Sequence, residues 1–334
     1  MKFHYEFDIK SPEKKIQHGQ NLVLMGSCFT ENMGEKLRKH KFNVTENPHG
    51  ILFNPVSVAE AITDYIEEKI YTEDDLFLLN ECWHSWKHHS RYSGITPGDA
   101  LGKINESIND THKALKQADQ IMITLGSAWV YMLTENAPNY KLGTVAANNH
   151  KAPSDWFSKR LMTTEDVLTV LDNMIHRLFH FNPKLQIIFT ISPVRHLREG
   201  VIENNKSKAV LIQAVHHLVE KFEGLYYFPA YELVIDDLRD YRFYAEDLVH
   251  PNFHATQYVW EKFTGACMPD TTKQLLKEIA AINLAVQHKP FNPATEQHQQ
   301  FLKTYQEKTK QMVKMYPFIN WDTELQYFEV QIRN

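Results

Sequence analysis

The chain has 334 residues, 43% hydrophobic and 23% charged, with a net charge of −5. This is an ordinary globular composition, long enough for a full core, with no uninterrupted apolar run of membrane-spanning length. Net acidity and scattered lysines and arginines speak against a nucleic-acid or anionic-membrane partner. The three cysteines, Cys28, Cys82 and Cys267, have neither disulfide-framework nor zinc-ligand spacing. A reducing, cytoplasmic setting is therefore expected, and the start "MKFHYEFDIKSPEKK" has no apolar core of a signal peptide.

Five short β-branched runs predict strands: "NLVLM" (21–25), "FNVTE" (42–46), "QIMITL" (120–125), "LQIIFTIS" (185–192) and "LYYFPA" (225–230). Helical patterns fall between them. "ENMGEKLRKHK" follows the first, "VAEAITDYIEEKI" the second, "TTEDVLTVLDNMIHRLFHF" precedes the fourth and "SKAVLIQAVHHLVEKF" the fifth. The alternation predicts an α/β fold, a parallel sheet in a three-layer α/β/α domain over residues 1–268. Residues 72–94, rich in Trp and His, read as an inserted hairpin-like segment, and 131–160 as a loop-rich passage. Beyond 268, "TTKQLLKEIAAINLAVQ" and "ATEQHQQFLKTYQEKTKQMVKMY" predict two helices. Residues 269–334 form a C-terminal helical extension, either a packed appendage or a surface for self-association.

Chemistry is expected where strands end, because right-handed crossovers gather functional loops at strand C-termini. After the first strand, "GSCFTENMG" places Ser27 at a helix start, where backbone N–H groups favour an oxyanion. Ser27 reads as a capping residue or a nucleophile, with Cys28 as rival nucleophile. Past the fifth strand, "FYAEDLVHPNFHATQ" sets Asp247 three residues ahead of His250. A serine needs a base, and the base needs an acceptor for its other ring nitrogen; this spacing supplies both.

Together, "GSCFTENMG", "NPHGILFNP", "ISPVRHLREG" with "NNKSKAVL", and "DDLRDYRFYAEDLVHP" resemble the GSCFA-domain family of the SGNH (GDSL-like) hydrolase superfamily, over about residues 5–265. The resemblance implies a flavodoxin-like five-stranded sheet of order 2-1-3-4-5. It also implies a Ser27, Asp247, His250 catalytic set and no metal or organic cofactor. The superfamily's Gly-x-Asn amide donor has no counterpart in "LGSAWVY", where Ala128 takes the position, so Asn148 of "VAANNHKAP" is assigned that role. Gly50 matches a second-block glycine whose N–H is another oxyanion donor, or else is a turn glycine.

Trp83 and His84, in "CWHSWKHH", are read as an aromatic and imidazole wall of a sugar site, or as an exposed hairpin. Arg195 and His196, after the fourth strand, are expected at the catalytic edge, Arg195 holding a substrate carboxylate or anchoring the "DDLRD" loop. The whole predicts a serine esterase acting on a small acyl ester, with an O-acetylated carbohydrate as the substrate class implied. A non-catalytic binding module and an O-acyltransferase are the alternatives.

Overall fold

The computed structural model describes residues 5–333. The first apolar run forms β1 (Asn21–Gly26), buried from Leu22 onward. It leads into α1 (Cys28–Lys39), β2 (Asn43–Glu46) and α2 (Pro55–Ile66). The expected insertion holds a short antiparallel hairpin, β3 (Phe77–Leu79) and β4 (Cys82–His84). A helix that the sequence reading did not name, α3 (Pro97–Gln117), precedes β5 (Gln120–Leu125); Thr96 and Asp99 cap it reciprocally, with a proline in its first turn. The passage expected to be loop instead carries β6 (Trp129–Leu133), β7 (Val145–Ala146) and β8 (Phe157–Leu161), an antiparallel sheet of order β7-β6-β8. Next come α4 (Thr164–Phe181), β9 (Gln186–Ile191), α5 (Val201–Lys221), β10 (Leu225–Tyr227) and the single turn α6 (Ala230–Glu232). The chain closes with α7 (Phe253–Cys267), α8 (Asp270–Gln287), α9 (Glu296–Met315) and α10 (Asp322–Arg333), one helix more than the tail pattern indicated.

The main sheet runs β2-β1-β5-β9-β10 with every pairing parallel, the order 2-1-3-4-5 in chain sequence. Strand alternation divides its side chains between two faces. Val23, Met25, Ile121, Ile123 and Phe189 pack with residues of α2 to α5, while Leu22, Leu24, Met122 and Ile188 pack with those of α1 and α7. Burial on both faces is why these strands read as continuous apolar runs. The helices after α7 add their own cluster, centred on Ile279, Trp321 and Phe328. Among the described residues no helix is long and apolar enough to cross a membrane.

In this order the chain reverses direction between β1 and β5, and such a switch point opens a crevice beyond the strand C-termini. The turn from β1 into α1 stands at that crevice.

Candidate active site

The turn is fixed one backbone group at a time. Gly26 has φ +132°, and a Cβ there would lie 2.1 Å from the Thr124 carbonyl oxygen, so only glycine fits. Its N–H donates to Asn47 Oδ1 at 2.9 Å, and its carbonyl accepts from Leu52 N–H at 2.9 Å. Ser27 continues the ladder, its N–H donating to Thr124 O at 3.2 Å. The Ser27 hydroxyl accepts from Phe29 N–H at 3.3 Å as the N-cap of α1, and the residue has no exposed surface. Its hydroxyl is thus taken up by the helix cap and its amide by the sheet.

Cys28, one residue on, is the first helical residue and is partly exposed. Its N–H lies against its own sulfur and has no other acceptor among the described residues, the usual condition of a first-turn amide. Burial raises the Cys28 thiol pKa, and the Glu31 carboxylate adds to this. The N–H groups of Cys28 and Phe29 and the Lys208 ammonium act in the opposite sense without reversing it. The thiol is therefore protonated at neutral pH, and reacting would require a base.

Asp247 and His250 meet as the spacing predicts. The Val249 and His250 N–H groups donate to Asp247 Oδ1 at 2.9 and 3.0 Å, and His250 Nδ1 lies 2.7 Å from Oδ2. These contacts, the His250 N–H first, hold the Asp247 carboxyl down to about 2. With Nδ1–H donating to the carboxylate, Nε2 is left as the acceptor nitrogen. The loop is stitched to the end of β9, where Arg195 N–H donates to Val249 O at 3.2 Å. The Arg195 guanidinium sits over the Tyr244 ring, 4.8 Å from its centroid, which ties it to this loop, and Arg195 is not among the residues that line the cavity beside His196.

His196 occupies the crevice itself. Its ring packs edge-on to Phe53 at 4.9 Å, and Nε2 is buried without a partner among the described residues. Burial, then the charges of Lys208 and His250, push its pKa down to about 3, which keeps it neutral and places it in the electrostatic neighbourhood of His250. Lys208 is almost fully buried and donates to Gly126 O and Ser192 O, each at 2.7 Å, just beyond β5 and β9. Ser207 Oγ accepts from Ala128 N–H at 2.7 Å, and Asn204 Oδ1 from His196 N–H at 2.9 Å. One face of α5, the "NNKSK" segment, thus holds the loops leaving two strands. Burial pushes the Lys208 pKa down to about 7.

Beside His196 opens a cavity of about 280 Å³, lined also by Phe53, Trp129, Tyr131, Asn148 and Arg198. Asn148 Oδ1 accepts from His150 N–H at 2.8 Å and lies 3.4 Å from Ser90 Oγ, which leaves its NH₂ without a partner among the described residues. The structure thus brings Asn148 and His196 to one cavity and adds Trp129, Tyr131 and Arg198, which the sequence reading missed. Positions 129 and 131, two apart on a strand just past β5, share a face and carried the missed signal.

Two expectations are corrected. The Gly50 N–H donates to Asn47 O at 2.7 Å, so it is a turn amide and not an oxyanion donor. Its φ of +80° and a Cβ clash of 2.1 Å with His89 explain the glycine. Trp83 and His84 do not wall this cavity. Both His84 ring nitrogens are occupied, by Ser93 Oγ at 2.6 Å and Leu79 O at 3.1 Å, while Trp83 packs against the main core.

Solved structures with a similar arrangement include a Streptococcus pneumonia protein described as a platelet activating factor, 12% identical, with a TM-score of 0.37, covering 75% of this chain and 84% of that one. An acetyl xylan esterase (Est2A) from the rumen bacterium Butyrivibrio proteoclasticus is 11% identical, with a TM-score of 0.37, covering 74% of this chain and 63% of that one. No curated protein matches the chain. The model of the GSCFA domain protein C-terminal domain matches residues 279–334, and that of the GSCFA family matches residues 21–263. The chain belongs to the GSCFA family.

Proposed function

We propose that the protein is an SGNH-type hydrolase of a small acyl ester that works through a covalent acyl-enzyme, with Cys28 in place of Ser27 as nucleophile. The observation that carries this reading is the oriented Asp247–His250 pair, stitched to the sheet edge that also holds the β1–α1 turn. The choice of nucleophile follows from access. Ser27 has no surface and its hydroxyl caps α1, whereas Cys28 is partly exposed and its N–H is used by neither sheet nor helix.

In this mechanism His250 Nε2 takes the thiol proton as sulfur attacks the ester carbonyl. The oxyanion accepts from Cys28 N–H and the Asn148 NH₂ group. The tetrahedral intermediate collapses with cleavage of the carbon–oxygen bond, and the His250 proton passes to the departing alcohol. Water then attacks the thioester, His250 takes its proton, and the returning proton restores the thiol as the acid leaves. Asp247 orients the ring throughout and stays ionised. An O-acetylated carbohydrate is the substrate class carried forward from the superfamily resemblance.

A screen of p-nitrophenyl acetate, p-nitrophenyl butyrate and acetylated monosaccharides tests the reading. Turnover abolished in Cys28→Ala and His250→Ala but kept in Ser27→Ala is the expected result. No turnover of any ester by the intact protein would contradict it, and activity surviving in Cys28→Ala would return the role to Ser27.

A further inference from the structure

The cavity next to His196 has a polarity that the acyl-transfer chemistry does not require. Its one carboxylate, Glu199, is fully engaged: Oε1 accepts from the Tyr131 hydroxyl at 2.8 Å, and Oε2 pairs with Lys159. The carbonyl oxygen of the Asn148 side chain is engaged as well. Arg198, in contrast, has no salt bridge among the described residues; its guanidinium lies 5.4 Å from the Tyr131 ring centroid, interacts with that residue's hydroxyl, and its charge also favours the ionised Glu199. The Asn149 side chain lies on the same wall. Burial keeps His196 neutral and adds no charge. Lys159, outside the lining, neutralises Glu199, which leaves the Arg198 charge on the wall together with the unpartnered Asn148 NH₂ group.

A wall with free donors and a guanidinium outside any salt bridge suits an acceptor-rich, anionic ligand group. Stacking on Tyr131 limits the motion of Arg198, so less rotamer freedom is lost on binding. A volume of about 280 Å³ accommodates one small ring or a hydroxy acid. We propose that the alcohol part of the substrate carries a carboxylate, seated against Arg198, so that the substrate class is an O-acylated sugar acid or hydroxy acid. This rests on the esterase reading above for the role of the cavity, and it moves carboxylate recognition from Arg195 to Arg198.

The test compares phenyl acetate with 3-acetoxybenzoate, each rate corrected for its hydroxide-catalysed hydrolysis. In the intact enzyme kcat/KM should favour the carboxylate-bearing ester by roughly fivefold or more, the scale of a partly exposed ion pair. The preference should collapse towards unity in Arg198→Gln and return in part in Arg198→Lys. Equal rates in the intact enzyme, or a preference that survives Arg198→Gln, would overturn the proposal. Calorimetry with the non-ester pair 3-hydroxybenzoate and phenol keeps this test apart from the esterase reading. If neither ester turns over, that reading fails, and tighter binding of 3-hydroxybenzoate lost in Arg198→Gln would still support the site. Equal binding, or none, would overturn it.

Discussion

The Ser27 N–H donates to the Thr124 carbonyl at 3.2 Å, extending the β1–β5 ladder one residue past the strand. The next amide, that of Cys28, is the first the sheet does not use. Nucleophile and oxyanion donor can then belong to one residue, because the Cys28 side chain and N–H leave the same Cα at the helix start. Ser27 is left to hold the helix end.

Ser27→Ala is therefore expected to act on stability more than on chemistry. Loss of the N-cap should cost about 0.5–2 kcal/mol in urea denaturation, while ester turnover is largely retained. Loss of turnover without a stability change would argue for a direct role of the hydroxyl.

Asp247→Asn should lower kcat by about a hundredfold or more, since an amide no longer fixes the imidazole tautomer. Both residues are exposed, so the melting temperature should hardly move. Because Asp247 is held at about 2, its charge persists from neutral pH down to strongly acid solution. The fall of kcat in the variant should accordingly be seen at every pH of the working range. A variant with intact kcat would make the pair structural.

Asn148→Ala should lower kcat by about ten- to a thousandfold with little change in KM, the signature of a donor used in the transition state. A raised KM at constant kcat would instead place Asn148 in ground-state binding.

The pH dependence of Cys28 alkylation by iodoacetamide, followed by peptide mass spectrometry, reports the thiol directly. Burial and then Glu31 raise its pKa, so the midpoint should lie above that of a free thiol, about 8.5. Glu31→Gln removes a neighbouring negative charge and should lower the midpoint. An unshifted or raised midpoint would contradict this electrostatic account.

Lys208 gives a stability signature with a definite sign. Its folded pKa, about 7, lies below that of an unfolded lysine, about 10.4, so the unfolded chain binds more protons between the two. This group's contribution to stability is lowest below pH 7 and rises as pH climbs towards 10, by at most about 1.4 kcal/mol per pH unit. Urea midpoints at pH 7, 8 and 9 should show a steeper rise in the intact protein than in Lys208→Met; parallel slopes would contradict it.

Much of the fold could be read from residue order alone. The run "QIMITL" is β5 to the residue, and "NLVLM" misses only Gly26, because fully buried parallel strands leave uninterrupted apolar runs between helices. The D-x-x-H segment was legible for a similar reason: its geometry is local, set by two N–H groups and one ring within a single loop. What escaped depends on longer-range contacts. Trp129 and Tyr131 face the cavity because β7 and β8 pair with β6, and the intervening chain offered turn residues rather than strand periodicity. Trp83 and His84 are rich in suggestive chemistry, yet the hairpin turns them into the core and onto Ser93 and Leu79. Ser27 and Cys28 differ by one register step, and that the sheet takes up the amide of the first and not of the second is set by the hydrogen-bond ladder to Thr124.

The most direct test of Cys28 as nucleophile is to trap the acyl-enzyme. The protein is quenched in acid during turnover of p-nitrophenyl acetate, and the peptide spanning residues 27 and 28 is sequenced by tandem mass spectrometry. The account predicts an acetyl group on Cys28, removed by neutral hydroxylamine as a thioester should be and still formed in Ser27→Ala. An acetyl group on Ser27, stable to that treatment and present in Cys28→Ala, would contradict it.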